Sequence, residues 1–208
     1  MIFIVEKKVY IFFMKYFHLK RLLDYLFLIL SSPFTFTLIV FFSIIIKMFN
    51  PKDKIFFLQE RVGLNGKIFK IIKFRTMYSS THNSLFTSEN DPRIDHFGSF
   101  MRKFRIDEVP QFINIFLGNM SLIGPRPEQV HFAKELSKKY GKKFDKRLQV
   151  LPGITGLAQV EHGYVGDYDN YSKKLEFDLQ YIQNFSLAQD LKIFFKTFYV
   201  IVFGVGSR

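Results

Sequence analysis

From Leu26 to Ile46 the chain carries no charged residue. Wound as an α-helix rising 1.5 Å per residue, such a run reaches roughly 30 Å, about the thickness of a bilayer's hydrocarbon core. It reads as a membrane segment. A cleaved signal peptide is a poor alternative, because the run is too long and no small-residue cleavage site follows it. Inside the run stands Ser31-Ser32-Pro33. Pro33 removes a backbone donor and crowds the carbonyl four residues earlier, and the serine hydroxyls can satisfy what is freed. A bend is expected there. The flanks are basic on both sides, with Lys15, Lys20 and Arg21 before the run and Lys47, Lys52 and Lys54 after it. Positive charge favours the cytoplasmic face. Two basic flanks therefore predict a re-entrant helix over residues 20–50, broken at Ser32-Pro33, that enters and leaves by one leaflet; a straight tilted span is the alternative. Residues 1–19 read as an N-terminal extension in which Met14 opens a segment that resembles a translation start.

Beyond Pro51 the pattern changes to short apolar runs with turn signals, as expected of a chain leaving lipid for water. The 208 residues leave room for one modest domain over residues 51–208. Ile55–Val62 and Lys67–Met77 flank Gly63-Leu64-Asn65-Gly66, which predicts a β-hairpin. Helical spacing takes over at Ile106, Val109, Phe112, Ile113, Phe116 and Leu117. Further helices are expected at His131–Tyr140 and Tyr171–Asn184. The tail from Leu187 to Val205 mixes lysines with Phe194, Phe195, Phe198 and Tyr199, which suits either an interfacial helix or a core helix. The fold class expected is α+β: a membrane-embedded helix with a small, mostly helical domain, a short hairpin and interfacial helices.

Thirty Lys and Arg against eighteen Asp and Glu give a net charge of +12, so the partners should be anionic: nucleic acid, acidic lipid or phosphorylated substrates. The absence of cysteine excludes a thiolate nucleophile, a disulfide framework and a Cys-based zinc site. There is no phosphate-binding glycine loop, no dinucleotide fingerprint and no histidine pair at metal spacing. The five histidines, at 18, 82, 96, 131 and 162, are scattered.

The segment Arg102-Lys103-Phe104-Arg105-Ile106-Asp107-Glu108-Val109-Pro110-Gln111 sets three cations before two adjacent carboxylates that open the amphipathic helix. At a helix N-terminus a carboxylate meets unpaired amide donors and the positive end of the dipole, so it stays ionised. Such a group can cap the helix, or it can attack phosphorus or carbon. Arg61, Lys73 and Arg75 come from the hairpin, and Arg126 stands in Gly124-Pro125-Arg126-Pro127, where two prolines stiffen the loop. Guanidinium groups held in this way suit bidentate phosphate recognition. Asn90-Asp91-Pro92-Arg93 and Pro152-Gly153-Ile154-Thr155-Gly156 read as structural turns.

In order, Phe56-Phe57-Leu58-Gln59-Glu60-Arg61-Val62-Gly63, Lys73-Phe74-Arg75-Thr76-Met77, Asn90-Asp91-Pro92-Arg93, Asp107-Glu108-Val109-Pro110-Gln111, Met120-Ser121-Leu122-Ile123-Gly124-Pro125-Arg126-Pro127 and Pro152-Gly153-Ile154-Thr155-Gly156 resemble the bacterial sugar transferase family, the monotopic phosphoglycosyl transferases. The resemblance runs from about Lys20 to the C-terminus. It implies a re-entrant helix broken at Ser32-Pro33 and an active site on the cytoplasmic face of the inner membrane. It also implies transfer of a sugar 1-phosphate from a UDP-sugar to polyprenyl (undecaprenyl) phosphate, opening cell-surface glycan assembly. Asp107 would attack the phosphate next to the sugar and release UMP, with Glu108 and Mg²⁺ in support. Both carboxylates would hold the metal, and Arg102 and Arg126 would hold phosphates. Inner-membrane lipids are the expected surroundings, no nucleic acid is expected, and interfacial aromatics leave room for a homo-oligomer. Sugar specificity is expected from Ser79–Glu89 and His162–Asn170. Competing readings are a membrane-tethered nucleic-acid-binding protein and a catalytically silent scaffold.

Overall fold

The computed structural model describes residues 2–78, 91–161 and 171–203, with side chains from Lys15 onward. The first element is one long helix, α1 (Ile2–Phe49). An antiparallel hairpin follows, β1 (Phe56–Val62) with β2 (Ile68–Phe74), pairing Phe56 with Phe74 through to Val62 with Ile68. The expected turn closes it, with Asn65 and Gly66 at φ 52° and 79°, a region these two residue types enter most readily. Next come α2 (His96–Lys103), α3 (Gln111–Phe116), β3 (Ser121–Ile123), α4 (Val130–Tyr140), α5 (Lys142–Arg147), β4 (Gly153–Thr155), α6 (Leu157–Glu161), α7 (Tyr171–Gln183) and α8 (Leu187–Phe203). The expected hairpin and the helices α4, α7 and α8 are present. The parallel pairing of β3 with β4 joins the motif that presents Arg126 to the Pro-Gly-Ile-Thr-Gly segment, which the sequence read as a separate turn.

That pairing depends on glycine. A Cβ placed on Gly153 would lie 2.1 Å from the Gly124 nitrogen, and one on Gly124 would lie 2.4 Å from the Leu151 carbonyl oxygen. Only hydrogen allows the two backbones so close. Gly124 N then donates to Thr155 O (2.9 Å) and Ser121 N to Pro152 O (2.8 Å). The Gly-Pro-Arg-Pro loop is thus set on a two-strand base built from the Pro-Gly-Ile-Thr-Gly segment.

The helical backbone of α1 passes through Pro33 without interruption, so the break expected at Ser32-Pro33 does not occur as a gap in the helix. The reason is local. Pro33 leaves the Ile29 carbonyl without its N–H, and the Ser32 hydroxyl donates to that oxygen at 2.8 Å. Ser31 bonds Phe27 O (2.7 Å), Thr35 bonds Ser31 O (3.1 Å) and Thr37 bonds Pro33 O (2.8 Å). Hydroxyls folded back in this way are what allow proline inside an apolar helix.

Both ends of the apolar run are tied to the same domain. Before it, Lys20 pairs with Asp190 of α8, Arg21 donates to Ile115 O and Met120 O (both 2.8 Å), and Asp24 accepts from Leu122 N (3.1 Å). After it, Phe42 and Ile46 are buried in a cluster with Phe74 and Met101. Between these anchors Ile29, Leu30, Phe34 and Phe36 are 68–82% exposed. Helix α8 is divided along its length: Asp190 and Ile193 are buried, while Leu191, Phe195, Phe198, Tyr199 and Phe203 are exposed. The tail is therefore a core helix on one face and an apolar surface on the other.

Behind the Gly-Pro-Arg-Pro loop lies a buried ionic network. Arg147 of α5 is 3% exposed and donates to Asp178 of α7 (2.6 Å), to Glu128 (3.3 Å) and to the Arg126 carbonyl. Lys174 and Tyr171 of α7 also donate to Glu128. Burial alone would push the Glu128 carboxyl up, but Lys174 and Arg147 outweigh it and hold the group at about 2. Because folding lowers this carboxyl's affinity for a proton, its contribution is fully present above its ordinary value. It is lost as pH falls toward 2. The expected outcome is a loss of about 3 kcal/mol of unfolding free energy between roughly pH 5 and pH 2 from this group. Glu128→Gln should lower stability at neutral pH and flatten that acid limb in denaturant titrations.

Candidate active site

The chain leaves α2 through Arg105, a non-glycine residue at φ 55°, ψ 23°. Such a conformation costs about 1 kcal/mol or more and marks a site where the surroundings dictate the backbone. It reverses the chain into a short 3-10 turn, Ile106–Glu108. Here the sequence expectation needs correction. Asp107 and Glu108 do not open the amphipathic helix; they occupy their own turn, and Pro110 stands at the N-cap of α3 behind them. The helix was foreseen as continuous because its apolar spacing carries across the turn. Both carboxylates are buried, 8% and 5% exposed.

Lys73 reaches them from the hairpin. In β2 the side chains of Phe69, Ile71 and Lys73 alternate onto one face, and Phe69 and Ile71 pack in the cluster containing Ile115 of α3. The edge of β2 is closed by Asn114 of α3, which accepts from Ile72 N (2.9 Å) and donates to Lys70 O (2.7 Å). This amide imitates a neighbouring strand and sets the register of α3 on β2. The Lys73 ammonium then lies 2.9 Å from Glu108 Oε1 and 3.8 Å from Asp107 Oδ2. Arg126 closes the other side with a two-pronged contact, Nη2 to Glu108 Oε1 at 2.7 Å and Nη1 to Oε2 at 3.3 Å.

The two neighbours are held in opposite charge environments. Burial would raise the Glu108 carboxyl, yet Arg126 and Lys73 overcome it and hold the group well below the usual range. For Asp107 burial wins: its carboxyl is pushed up, with Lys73 and Arg102 only partly offsetting desolvation and the repulsion of Glu108. The helix-end argument made from sequence treats the two alike, whereas their surroundings lower Glu108 and raise Asp107. Burial likewise lowers the Lys73 ammonium. Neighbouring carboxylates whose surroundings drive them apart in this way mark a candidate functional site.

The remaining candidates divide. Arg102 is electrostatically coupled to Asp107, and its Nη1 is buried with no protein hydrogen-bond partner. Gln111, fully buried, has both side-chain ends in the same condition. Buried groups of this kind ask for an explanation, and an anionic ligand with acceptor and donor atoms supplies one. Arg75 donates from Nε to Lys54 O (3.1 Å). Arg61 points toward the loop, donating to Pro127 O (3.0 Å) and Gln59 Oε1 (2.6 Å). Asp91 folds onto Arg93 through contacts of 2.6 and 2.8 Å and is held at about 2 by it, the structural turn expected. Sequence reasoning gave no role to Asn114, Arg147 or Gln111. Nothing in one sequence distinguishes a buried amide or arginine from an exposed one. The stretches expected to set specificity, 79–89 and 162–170, lie outside the described residues.

Among the described residues no group of three or more His, Asp or Glu gathers as a metal cage. Asp107 and Glu108 are the hard oxygen donors here, and Mg²⁺ is commonly held by one or two carboxylates completed by substrate phosphate oxygens. The donor set fits that ion in company with a diphosphate.

Known proteins carry the same arrangement of sequence. The model of the bacterial sugar transferase family matches residues 15–204. A UDP-N-acetylgalactosamine-undecaprenyl-phosphate N-acetylgalactosaminephosphotransferase from Aeromonas hydrophila is 42% identical over 195 residues, covering 93% of this chain and 46% of that protein. A UDP-glucose:undecaprenyl-phosphate glucose-1-phosphate transferase from Escherichia coli is 38% identical over 177 residues, 83% of this chain and 37% of its own. An exopolysaccharide production protein, ExoY, from Sinorhizobium fredii is 36% identical and shares 76% of this chain and 75% of its own length. The chain thus spans less than half the length of the first two. With the match running over nearly its whole length, the chain belongs to the bacterial sugar transferase family.

Proposed function

We propose that this chain transfers a sugar 1-phosphate from a UDP-sugar to polyprenyl (undecaprenyl) phosphate, with Asp107 as the nucleophile. The observation that carries the reading is the buried Asp107 carboxylate, raised by desolvation beside a Glu108 already neutralised by Lys73 and Arg126. A desolvated oxyanion flanked by cations is suited to attack on a phosphate that brings its own negative charge. The names of the relatives, which act on UDP-sugars and undecaprenyl phosphate, give the substrate class.

In the first step an Asp107 oxygen attacks the phosphorus next to the sugar. The bond from that phosphorus to the oxygen bridging the two phosphates breaks, and UMP leaves with the electron pair. In the second, a phosphate oxygen of polyprenyl phosphate attacks the same phosphorus, and the Asp107 carboxylate leaves. Arg126 and Arg102 draw charge from the transferring phosphoryl oxygens. Lys73, 3.8 Å from Asp107 Oδ2, favours its charged form. Mg²⁺ held by Asp107 and Glu108 would neutralise charge on the diphosphate when bound.

The acceptor is a lipid, and the fold supports membrane association. The exposed residues around Pro33, with Phe116 of α3 and the outer face of α8, form apolar surface that water does not favour. Phe27 of α1 meets Phe112 and Phe194, which joins these elements. A helix spanning the bilayer would separate Asp24 from Ile46 by the full hydrocarbon thickness, yet both pack on the same domain. That supports insertion from one face, the cytoplasmic face of the inner membrane, where nucleotide sugars are available.

Two outcomes are expected. Asp107→Asn should cut UMP release from a UDP-sugar by at least about a thousandfold while leaving the unfolding midpoint unchanged or higher, since a neutral amide avoids the burial penalty that raises Asp107. An equal loss of activity and stability would make Asp107 structural. In the cysteine-free chain, cysteines at Lys15 and Lys54 should both react with a membrane-impermeant thiol reagent only from the cytoplasmic side. Reaction from opposite sides would establish a true span.

A further inference from the structure

Proline removes two of the four N–H donors from Pro125-Arg126-Pro127-Glu128, so the rest of the protein can grip this loop chiefly through its carbonyl oxygens. All four are gripped. Pro125 O accepts from Gly153 N at 3.0 Å, and Glu128 O accepts from Val62 N at 2.9 Å. Arg126 O accepts from Arg147 Nη2, and Pro127 O accepts from Arg61 Nη1 at 3.0 Å. The two outer bonds are ordinary backbone pairings. The two inner ones, on either side of the Arg126–Pro127 bond, come from side chains.

Each of those side chains is itself tethered. Arg61 Nη2 donates to Gln59 Oε1 at 2.6 Å, and Arg147 Nε donates to Asp178 at 2.6 Å. A planar guanidinium with one edge bound presents its other nitrogen in a fixed direction, which an ammonium on a flexible stem cannot do. The donors come from β1 and, far from it in sequence, from α5 and β4, and they converge on one loop whose Arg126 side chain grips Glu108.

We propose that Arg61 and Arg147 are positioning residues: two guanidinium groups that clamp the Arg126 main chain, so that its fork stays on Glu108 beside Asp107. The catalytic consequence rests on the transferase reading above. It departs from the sequence expectation for Arg61, which placed that residue on a substrate phosphate. An arginine that binds the donor acts on KM. One that aims another arginine acts on kcat, and its effect disappears when the aimed residue is gone.

The experiment is a mutant cycle on the full chain in detergent or nanodiscs, read by UMP release and by unfolding. Arg147→Met leaves Asp178 buried without its partner and can fail to fold, so the partly buried Arg61 carries the test. Arg61→Met should lower kcat roughly tenfold or more, with KM for the UDP-sugar within about twofold of the native value. In an Arg126→Ala background the same change should cost less than about twofold further. Losses that multiply, or a raised KM with unchanged kcat, would overturn the clamp. A second arm needs no turnover. Arg126→Ala and Glu108→Gln should be coupled in unfolding free energy in the native chain and uncoupled once Arg61 is methionine; coupling that persists there would overturn the proposal. A native chain that releases no UMP from any UDP-sugar would sink the transferase reading, and the unfolding arm would still decide the clamp.

Discussion

A carboxylate can be buried and remain charged only where cations reach it, and the Glu108 site is where this constraint acts. Satisfying Glu108 requires Lys73 from β2 and Arg126 from the loop after β3 to arrive at one point. That requirement propagates outward. Lys73 arrives because Asn114 closes the β2 edge and fixes α3 against it. Arg126 arrives because Gly124 and Gly153 allow β3 and β4 to touch and because its carbonyl is held by Arg147. The ionic network of Arg147, Glu128, Lys174 and Asp178 is therefore the second layer of the site, although none of its members is among those that touch Asp107. Removing one member of such a buried set costs about 3–5 kcal/mol, because the partner is left charged and dry. With two cations committed to Glu108, Asp107 is left under-compensated and raised. The asymmetry within the pair follows from where the cations point.

The apolar surface obeys a different constraint. Phe34, Phe36, Phe116, Phe195 and Phe198 are exposed on α1, α3 and α8, elements linked by the ring contacts of Phe27. A surface of this size and character is stable where lipid covers it. The polar anchors at Lys20, Arg21 and Asp24 lie where α1 leaves the domain, so the charged end of the helix is spent on protein contacts and the apolar stretch is left for the bilayer. In the proposed reaction this brings the site to the surface where a polyprenyl acceptor resides.

Much of this was legible in the sequence where the signal is local. The uncharged run, the Asn-Gly turn of the hairpin and the spacing of α4 and α7 each depend on neighbours within a few residues, and each was found. The gathering of Lys73, Asp107, Glu108 and Arg126 was expected from ordered motifs, and the structure brings those four together. What escaped was long-range. The β3–β4 pairing joins segments thirty residues apart through glycine contacts that no periodicity records. Arg147 looked like other basic residues in a chain of +12 and Arg61 like a phosphate ligand; only their positions behind the loop show both donating to its carbonyls. Helical pairing continues through Pro33 because the hydroxyl of Ser32 satisfies the Ile29 carbonyl within the helix. The upward shift of Asp107 escaped because a helix-end argument contains no burial.

The central claim is that Asp107 carries the transferred group covalently. Mixing the purified chain with Mg²⁺ and a cognate UDP-sugar, without polyprenyl phosphate, and quenching in acid should trap the first step. Mass spectrometry of the digested protein should then find one sugar phosphate on the peptide containing Asp107, absent in Asp107→Asn and discharged when polyprenyl phosphate is added. UMP release with no adduct on that peptide, or an adduct that survives in Asp107→Asn, would contradict the account.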